Sequence, residues 1–339
     1  MNRCLGLHAL LALVACLLAP LAAAAQDFYA GKQVKLVVGG GVGGGTDLYG
    51  RFLARHLGAH IPGKPTLYVV NMPGADSITA GNYAANLAPH DGTELFALGQ
   101  SLPMVQGLGK DSIKFDLAAF GWIGNMSESV NVFIAWHQSP VRTLEDAKRQ
   151  ALTIGSTTAG SLSGLMPVVL NNLLGTKFRV INGYDSGGAI ELAMERGEIG
   201  GRASVTWASL KAERPDWVRD HAINVLVQVG LTPDRELPGV PMLDALGKKP
   251  ADAAVLRFFA ELSAVARTFC AAPGLPPARL TLLRRAFDAT MRDPAVLAEA
   301  GKLQLDISPM TGEALQTVVT NMVRTPADLV SQIKKSFKE

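Results

Sequence analysis

The segment at residues 35–47, KLVVGGGVGGGTD, places six glycines within seven residues directly after a short apolar run. The apolar run has the length and composition of a buried β-strand, and apolar residues recur at helical spacing between positions 48 and 57. Thr46 or Asp47 could cap that helix. The segment therefore predicts a strand, a glycine loop and a helix in succession, which is the repeating unit of α/β proteins.

The same alternation of strand and helix patterns continues along the chain. Strand patterns recur at residues 66–71, 93–101, 131–136 and 222–230, with helical patterns between them. This alternation predicts an α/β protein with a mostly parallel sheet. The chain is too long for one compact unit and has no obvious linker, which favours two α/β lobes whose connections cross between them more than once.

The overall composition excludes several classes of function. Of the 339 residues, 48% are hydrophobic and 18% are charged, as in an ordinary globular protein. The net charge of +3 is spread without long runs of either sign, so no basic stripe suggests a nucleic-acid partner. Aromatic residues make up only 6% of the chain, which further disfavours base stacking.

The first 25 residues have the features of a cleavable signal peptide. Arg3 supplies a positive charge, an apolar core follows, and Ala23 and Ala25 form a small-x-small cleavage pattern. Cleavage before Cys16, as in a lipoprotein, is an alternative because the sequence LVAC that ends there resembles such a site. No later apolar run reaches membrane-spanning length, so the sequence predicts a mature protein that is soluble in the periplasm.

Few residues suggest catalysis or metal binding. Cys270 is the only cysteine of the predicted mature chain, and its apolar strand pattern indicates that it packs rather than reacts. His56 and His60 have the spacing of a metal pair, but no glutamate lies between them and we favour a surface face of the helix. No G-x-S-x-G nucleophile elbow is present. The sequence therefore does not predict an enzyme.

The glycine loop allows several interpretations. Gly39, Gly41 and Gly44 match the dinucleotide-binding pattern G-x-G-x-x-G, but that pattern also needs an acidic residue at the end of the second strand, where this chain has Asn71. A P-loop is excluded because no Gly-Lys-Ser/Thr follows. The remaining alternatives are a flexible turn and an anion site made of backbone amides at the helix N-terminus. Six glycines favour the anion site, to which Thr46 could add a hydroxyl.

A second loop, GSTTAGSLSG at residues 155–164, repeats this design with many hydroxyl groups. Serine and threonine are common helix caps, so this loop alone is weak evidence for a site. Together with the glycine loop, it could bind one carboxylate between the two lobes, with one loop contributed by each lobe. Tyr184 and Asp185 follow a further strand, at the end where α/β proteins bind ligands. Tyr184 could equally be a core ring, and Arg202 could pair with a ligand carboxylate or lie in solvent.

Three segments together resemble the Bug/TctC family, the extracytoplasmic solute-binding proteins of tripartite tricarboxylate transporters. They are FYAGKQVKLVVGGGVGGGTDLYGRFLARHLG at residues 28–58, VVNMPGADSITAGNYAANLAPHDGTELFALGQS at 69–101 and GYDSGGAIELAMERGEIGG at 183–201. The family pattern has a strand, P-G-G-x-x-D and a helix, then N-x-P-G-A-G-G, D-G-Y-T-L and a later Tyr-Lys-Gly loop. The resemblance extends in order over essentially the whole mature chain.

The resemblance implies a two-lobe periplasmic-binding-protein fold of type II, with a ligand cleft between the lobes. The expected lobes are residues 26–128 with 232–339, and residues 129–231. Members of the family bind small carboxylates through backbone amides and hydroxyls of one loop per lobe. The ligand-binding residues expected on this basis are Val42, Gly43, Gly44, Thr46, Asp47, Gln100, Ser101, Ser156, Thr157, Thr158, Ser161, Tyr184 and Asp185.

This chain departs from the family pattern at four places. Gly40 and Gly41 replace a usual proline, and the tripeptide at 75–77, Ala-Asp-Ser, replaces Ala-Gly-Gly. Asp185 replaces a lysine or arginine, and Ser204 stands near a common aspartate. The last two changes exchange charges around the expected cleft and disfavour an ordinary citrate-like ligand. An aspartate near the site would favour an amino or hydroxyl group on the ligand.

The sequence thus predicts a periplasmic receptor that captures a small organic carboxylate and delivers it to inner-membrane transporter subunits. We expect such a receptor to act as a monomer, without a cofactor, a metal or a nucleic-acid partner. Two alternatives stay open. One is an exported α/β enzyme that acts on a small organic acid, and the other is a binding protein that feeds a sensor.

Overall fold

The computed structural model describes residues 28–109, 111–128 and 130–337. The predicted signal peptide and the alternative cleavage site at Cys16 lie outside these residues. In the described part of the chain, the strands form one sheet of six and one of five, with helices packed against both. The protein is therefore of the α/β class that the sequence predicted.

The strands of the described residues are β1 (Gln33–Val38), β2 (Thr66–Asn71), β3 (Glu94–Leu98), β4 (Gly121–Asn125), β5 (Asn131–Trp136), β6 (Leu152–Ser156), β7 (Phe178–Asn182), β8 (Gly201–Thr206), β9 (Ile223–Val229), β10 (Thr268–Ala271) and β11 (Met310–Thr311). The α-helices are α1 (Gly45–His60), α2 (Ile78–Asn86), α3 (Leu102–Gly107), α4 (Leu144–Arg149), α5 (Leu162–Leu174), α6 (Gly187–Glu195), α7 (Trp207–Glu213), α8 (Pro215–Arg219), α9 (Pro250–Glu261), α10 (Pro277–Thr290), α11 (Pro294–Lys302), α12 (Gly312–Val323) and α13 (Ala327–Ser336). Short 3-10 helices occupy Leu117–Ala119, Leu243–Leu246 and Leu262–Val265.

The six-stranded sheet takes its strands from both ends of the described chain. Its order is β11-β4-β10-β3-β1-β2. Strand β1 lies parallel to β2 and β3, whereas β10 is antiparallel to β3 and β4. Leu36 and Val37 of β1 pack into different hydrophobic clusters. The apolar run before the glycine loop is therefore an interior strand of the sheet, covered on both faces.

The five-stranded sheet is built from the middle of the chain. Its order is β7-β6-β8-β5-β9. Strand β6 lies parallel to β7 and β8, and β5 is antiparallel to β8 and β9. The register between β5 and β8 shifts beside Phe133, where two residues of β8 oppose one of β5. This bulge re-aims the side chains of β8 near the end that faces the other sheet.

Both sheets are mixed, so the prediction of a mostly parallel sheet is wrong. Strands β5 and β10 are the first strands that the chain adds after it passes from one sheet to the other. A strand that arrives in this way needs no helical crossover within its own sheet, and it can run antiparallel to its neighbours. Local alternation of strands and helices does not reveal such a passage.

The chain passes between the sheets after β4 and again after β9. Helix α13 near the C-terminus packs against α5, and the side-chain amide of Asn172 donates to the carbonyl of Ser336 at 2.9 Å. The helix Leu243–Leu246 also contacts β9. Parts of residues 232–339 therefore pack on the five-stranded sheet, and the predicted lobe boundaries stay a prediction.

Cys270 packs as predicted, in the centre of the six-stranded sheet. It lies on β10 between β3 and β4 and is fully buried. Burial raises the pKa of its thiol far above the ordinary value, which keeps the sulfur protonated and unreactive. Within the described residues, no helix combines the length and the apolar character needed to cross a membrane.

Candidate ligand-binding site

A cavity of about 270 Å³ opens where the loops of the two sheets face each other. Each sheet contributes the carboxyl ends of its parallel strands, which is where α/β proteins place ligands. The cavity is lined by Thr46, Asp76, Gly99, Gln100, Ser101, Ala266 and Arg267 from the side of the six-stranded sheet, and by Thr157, Ser161, Leu162, Ser163, Gly187, Ile190, Arg202, Ala203 and Ser204 from the side of the five-stranded sheet.

Arg267 brings a positive charge to this cavity from the start of β10. Its side chain is 7% exposed. The guanidinium donates from Nη2 to Ser209 at 2.9 Å and to Thr206 at 3.2 Å, and from Nη1 to the carbonyl of Ala266 at 3.0 Å. Its central carbon lies 4.9 Å from the centre of the Tyr49 ring, within the range of a cation–π contact.

The Arg267 guanidinium makes no salt bridge in the described part of the chain, and the carboxylate that acts on its charge is that of Glu213, which lies beyond salt-bridge distance. Its Nε is buried and makes no hydrogen bond there. Burial lowers the pKa of Arg267, but an arginine starts so high that it stays charged at neutral pH. A buried cation whose neighbours are hydroxyls and an aromatic ring is the kind of group that a ligand carboxylate would complete.

Asn125 fixes the backbone that carries Arg267. This fully buried residue accepts the backbone N–H of Arg267 at 2.8 Å and donates to the carbonyl of Ala264 at 3.0 Å. The turn before β10 is therefore held to β4 by a side chain as well as by the sheet. Thr206 ends β8 of the five-stranded sheet and Ser209 lies in α7 just after it, so the guanidinium connects the two sheets.

The glycine loop contributes to the cavity through the first turn of α1. The helix begins at Gly45, and the side chain of Thr46 lines the cavity. A Cβ atom added at Gly45 would lie 2.7 Å from Nη2 of Arg267, so glycine at this position allows the guanidinium to approach the helix. Val42, at the tip of the loop, is 77% exposed and lies outside the lining.

Asp47 holds the glycine loop together from inside. Its carboxylate accepts the backbone N–H of Gly43 at 2.9 Å, Nε of Arg51 at 2.9 Å and the amide of Asn71 at 2.8 Å. Burial would raise the pKa of Asp47, but these three hydrogen bonds and the charge of Arg51 outweigh it and keep the pKa below its ordinary value. With these contacts its role is structural, and it lies outside the lining of the cavity.

On the opposite side, three serines form a hydroxyl cluster at the start of α5. The oxygen of Ser163 lies 2.8 Å from that of Ser161 and 3.0 Å from that of Ser156, while Ser156 and Ser161 both donate to the carbonyl of Thr158. Ser161 and Ser163 line the cavity, and Ser156 is buried beneath them. The protons of Ser156 and Ser161 are thus engaged by Thr158, and it is the helix N-terminus beside the cluster that favours an anion.

Arg202 lines the cavity from β8, but it is paired within the protein. Its guanidinium is hydrogen-bonded to the buried carboxylate of Glu191, which also lies 3.9 Å from Arg214. Burial raises the pKa of Glu191 despite these two arginines. Arg202 also passes close to Gly187 at the first turn of α6. It is thus neither solvated nor an unpaired cation, and it can contribute a hydrogen bond to a ligand while Glu191 neutralises it.

The turn at residues 75–77 keeps a left-handed backbone without glycine. The φ angles of Ala75, Asp76 and Ser77 are 46°, 56° and 70°, in the region that side chains disfavour. The hydroxyl of Ser77 donates to the carbonyl of Gly39 and accepts from the N–H of Gly99, both at 3.0 Å. The turn thereby ties together the ends of β1 and β3, and it places Asp76 in the cavity lining beside Ser101, which hydrogen-bonds to it.

Of the thirteen residues predicted to bind ligand, five line this cavity. They are Thr46, Gln100, Ser101, Thr157 and Ser161. The other eight lie outside the lining, namely Val42, Gly43, Gly44, Asp47, Ser156, Thr158, Tyr184 and Asp185. Tyr184 packs against the hydrophobic cluster of the five-stranded sheet, and Asp185 is exposed. Contact of any of the thirteen with a ligand stays a prediction.

Sequence reasoning missed Arg267 and did not include Asp76 in the site. Arg267 is the single charged residue in the run LSAVARTFCAAP, and an isolated charge in such an apolar run is a usable signal. Asp76 replaces a glycine of the family pattern, and the sequence alone does not connect this replacement with the site.

The two histidines of α1 lie beside carboxylates of α11 and of the residue that caps it. Nε2 of His56 lies 3.1 Å from Glu299, and Nε2 of His60 lies 3.2 Å from Asp293. Among the described residues, no three side chains of His, Cys, Asp or Glu are grouped as a metal site would require. The histidines therefore join α1 to α11.

Several solved structures share this fold. A TctC solute-binding protein from Polaromonas, without ligand, is 21% identical with a TM-score of 0.64, over 91% of this chain and 99% of that one. The periplasmic binding protein BugD is 19% identical with a TM-score of 0.69, over 91% and 98% of the two chains. The chain has the two-lobe fold of periplasmic binding proteins. The predicted fold is thus confirmed.

The same binding-protein fold occurs in a structure with a bound acid. MatC from Rhodopseudomonas palustris, with bound malate, is 18% identical with a TM-score of 0.67, over 88% of this chain and 99% of that one. No protein-family model and no curated protein matches the sequence. At these identities the likeness concerns the fold, and the ligand of this chain has to be argued from its own cavity.

Proposed function

We propose that the protein is a periplasmic receptor that captures a small organic carboxylate between its two lobes and delivers it to a tripartite tricarboxylate-type transporter. The fold supports a binding role, since its solved relatives include a TctC solute-binding protein and the periplasmic binding protein BugD. The signal-peptide pattern of the first 25 residues supports export to the periplasm.

Arg267 is the observation that carries the proposal. It offers a buried guanidinium with an unpartnered Nε at a cavity lined by hydroxyls and helix N-termini. A carboxylate would satisfy this donor, and the hydrogen bonds to it would be charge-assisted. The neighbouring turns of α1, α5 and α6 would add backbone amides and a favourable potential for the same negative charge.

The position of the cavity suggests how ligand binding changes the arrangement of the lobes that the transporter would meet. The six-stranded side contributes Thr46, Gln100 and Arg267, and the five-stranded side contributes Ser161 and Arg202. A ligand that contacts both sides favours the closed arrangement of the lobes over the open one, because it binds the closed form more tightly. This capture requires no chemical step, and the predicted carboxylate receptor is a binding protein rather than an enzyme.

A thermal-shift panel tests the proposal. The mature protein is heated with mono-, di- and tricarboxylates, with amino acids and with ATP, and any ligand carried through purification is released by denaturation and identified by mass spectrometry. We expect a small carboxylate to raise the melting temperature by several degrees. Stabilisation by ATP alone would contradict the proposal, and turnover of a stabilising acid would favour an exported enzyme.

A further inference from the structure

The charged groups of the cavity lining leave one cation for a ligand. Among the described residues, the lining contains three charged side chains, those of Asp76, Arg202 and Arg267. Arg202 is paired with the buried carboxylate of Glu191, and Asp76 accepts a hydrogen bond from Ser101. Arg267 makes no salt bridge with the described residues, and its Nε is without a hydrogen bond there. One carboxylate on the ligand therefore matches the charge that the lining offers.

A second charged group on the ligand would find no such match. A second carboxylate would lose its hydration beside Arg202, a cation that Glu191 already neutralises. An ammonium group would need a carboxylate, and Asp76, the one acidic residue of the described lining, is already engaged within the protein. The remainder of the ligand is therefore expected to be neutral.

The side chain of Gln100 indicates which neutral group the ligand bears. Gln100 follows β3 and lines the cavity. Its Oε1 atom is buried and has no hydrogen-bond partner in the described part of the chain. A buried acceptor without a partner is rare in native proteins and calls for a donor that completes it. The terminal amide of glutamine turns about a soft torsion, so it can present this oxygen to a donor on the ligand without movement of the backbone.

A hydroxyl group meets both requirements. It donates a hydrogen bond to Oε1, remains neutral, and can accept a hydrogen bond in turn. We infer that the ligand is a small monocarboxylate that bears a neutral hydroxyl group, with the carboxylate bound by Arg267 and the hydroxyl bound by Gln100. This inference rests on the proposed function and specifies the class of its ligand.

The test compares acids of equal chain length that differ in one group. The cavity of about 270 Å³ lies near the lower end of the sizes of small-molecule sites, so chains of about three to six carbons are used. At each length, the plain monocarboxylate, its hydroxy acids, its ω-amino acid and the dicarboxylate are titrated calorimetrically into the mature wild-type protein.

We expect one hydroxy acid to bind about tenfold more tightly than the plain monocarboxylate of the same length. This ratio corresponds to about 1.4 kcal/mol, and its physical reason is that a buried acceptor gains the donor it lacks. The dicarboxylate and the amino acid should bind more weakly than this hydroxy acid, because each adds a charge for which the lining has no unengaged partner.

Gln100→Met is the diagnostic variant, since methionine is similarly long and flexible but has no amide. It should remove the preference for the hydroxy acid and leave the affinity for the plain acid unchanged. If Gln100 instead donates to the carboxylate, both acids lose affinity by the same factor and the preference persists, which would contradict the inference. Gln138→Met, at an exposed glutamine outside the lining, is the matched control and should keep the preference.

The outcomes separate this inference from the proposed function. If a plain monocarboxylate, an amino acid or a dicarboxylate binds at least as tightly as every hydroxy acid, the inference is wrong and the carboxylate receptor stands. If no acid of any class binds, both the inference and the proposed function are overturned. The wild-type titrations alone decide the class of ligand, so the inference can be refuted even if Gln100→Met does not fold.

Discussion

Arg267 carries a positive charge into a place that water barely reaches. Removing such a group from solvent is expensive unless a partner compensates it. Hydrogen bonds, the Tyr49 ring and the more distant charge of Glu213 compensate only part, because no carboxylate of the described residues lies within salt-bridge distance. We therefore expect the residue to lower the stability of the ligand-free protein and to raise the affinity for the proposed carboxylate.

Replacing Arg267 by methionine should separate these two effects. We expect the ligand-free variant to unfold at the same temperature as the wild type or higher, because a buried cation without a salt bridge is removed. The same variant should lose the thermal shift produced by the ligand. A melting curve with and without the stabilising acid measures both quantities, and a retained shift would exclude Arg267 from binding.

Ser77 illustrates how one hydroxyl supports a strained turn. Ser77→Ala would leave the N–H of Gly99 and the carbonyl of Gly39 without their side-chain partner. We expect a loss of about 1–3 kcal/mol in the free energy of unfolding, measured by urea denaturation. Ser112→Ala, at an exposed serine whose side chain has no such role here, serves as the control, and equal stability of the two variants would refute this role.

The first turn of α1 determines how closely the glycine loop approaches the cavity. Gly45 lies against Arg267, whereas a Cβ atom at Gly44 would meet only the carbonyl of Gly41, at an ordinary 3.4 Å. Gly45→Ala should therefore displace the guanidinium and weaken ligand binding by about tenfold or more, while Gly44→Ala should bind normally. Calorimetric titration of both variants checks this, and equal affinities would show that the loop does not constrain the site.

Asp47 makes the stability of this loop depend on pH. Because its pKa in the folded protein lies below the ordinary value of about 3.9, its contribution is present above that value and is lost as the pH falls through the folded pKa. Asp47→Asn should lower the free energy of unfolding by about 2–3 kcal/mol at pH 7. The difference from wild type should shrink in urea titrations below pH 4. A constant difference from pH 7 to pH 3 would contradict this role.

At the level of helices and strands, the sequence predicts the local units well. The apolar run before the glycines is β1. Strands β2 and β5 begin and end at the same residues as their apolar patterns. The direction of β5 and β10 was not predictable, because it depends on where the chain passes between the sheets. Periodicity reports local burial and contains no information on such long-range pairing.

The site was predictable only in part, for the same reason. Hydroxyls such as Ser101 and Ser161 lie in the loops that follow β3 and β6, where the carboxyl ends of strands bind ligands, so their positions could be predicted. Arg267 meets Thr206 and Ser209 across 58 to 61 residues of sequence, and only the tertiary fold brings these groups together. The hydrogen bonds that hold Asp47 inside the loop are likewise decided by packing, not by residue type.

The whole molecule places one polar cavity between two lobes that the chain joins more than once. Such an arrangement suits capture by closure, because a ligand in the cavity contacts both lobes and its binding energy favours the form in which they meet. Arg267 already connects them through Thr206 and Ser209, and a bound carboxylate would strengthen that connection.

Calorimetric titration of small acids into the mature wild-type protein and into Arg267→Met tests the central claim most directly. We predict that the wild type binds a small carboxylate with one ligand per protein and that the variant binds none measurably while remaining folded. The account would be contradicted if no carboxylate binds the wild type, or if the folded variant binds the same acid with unchanged affinity.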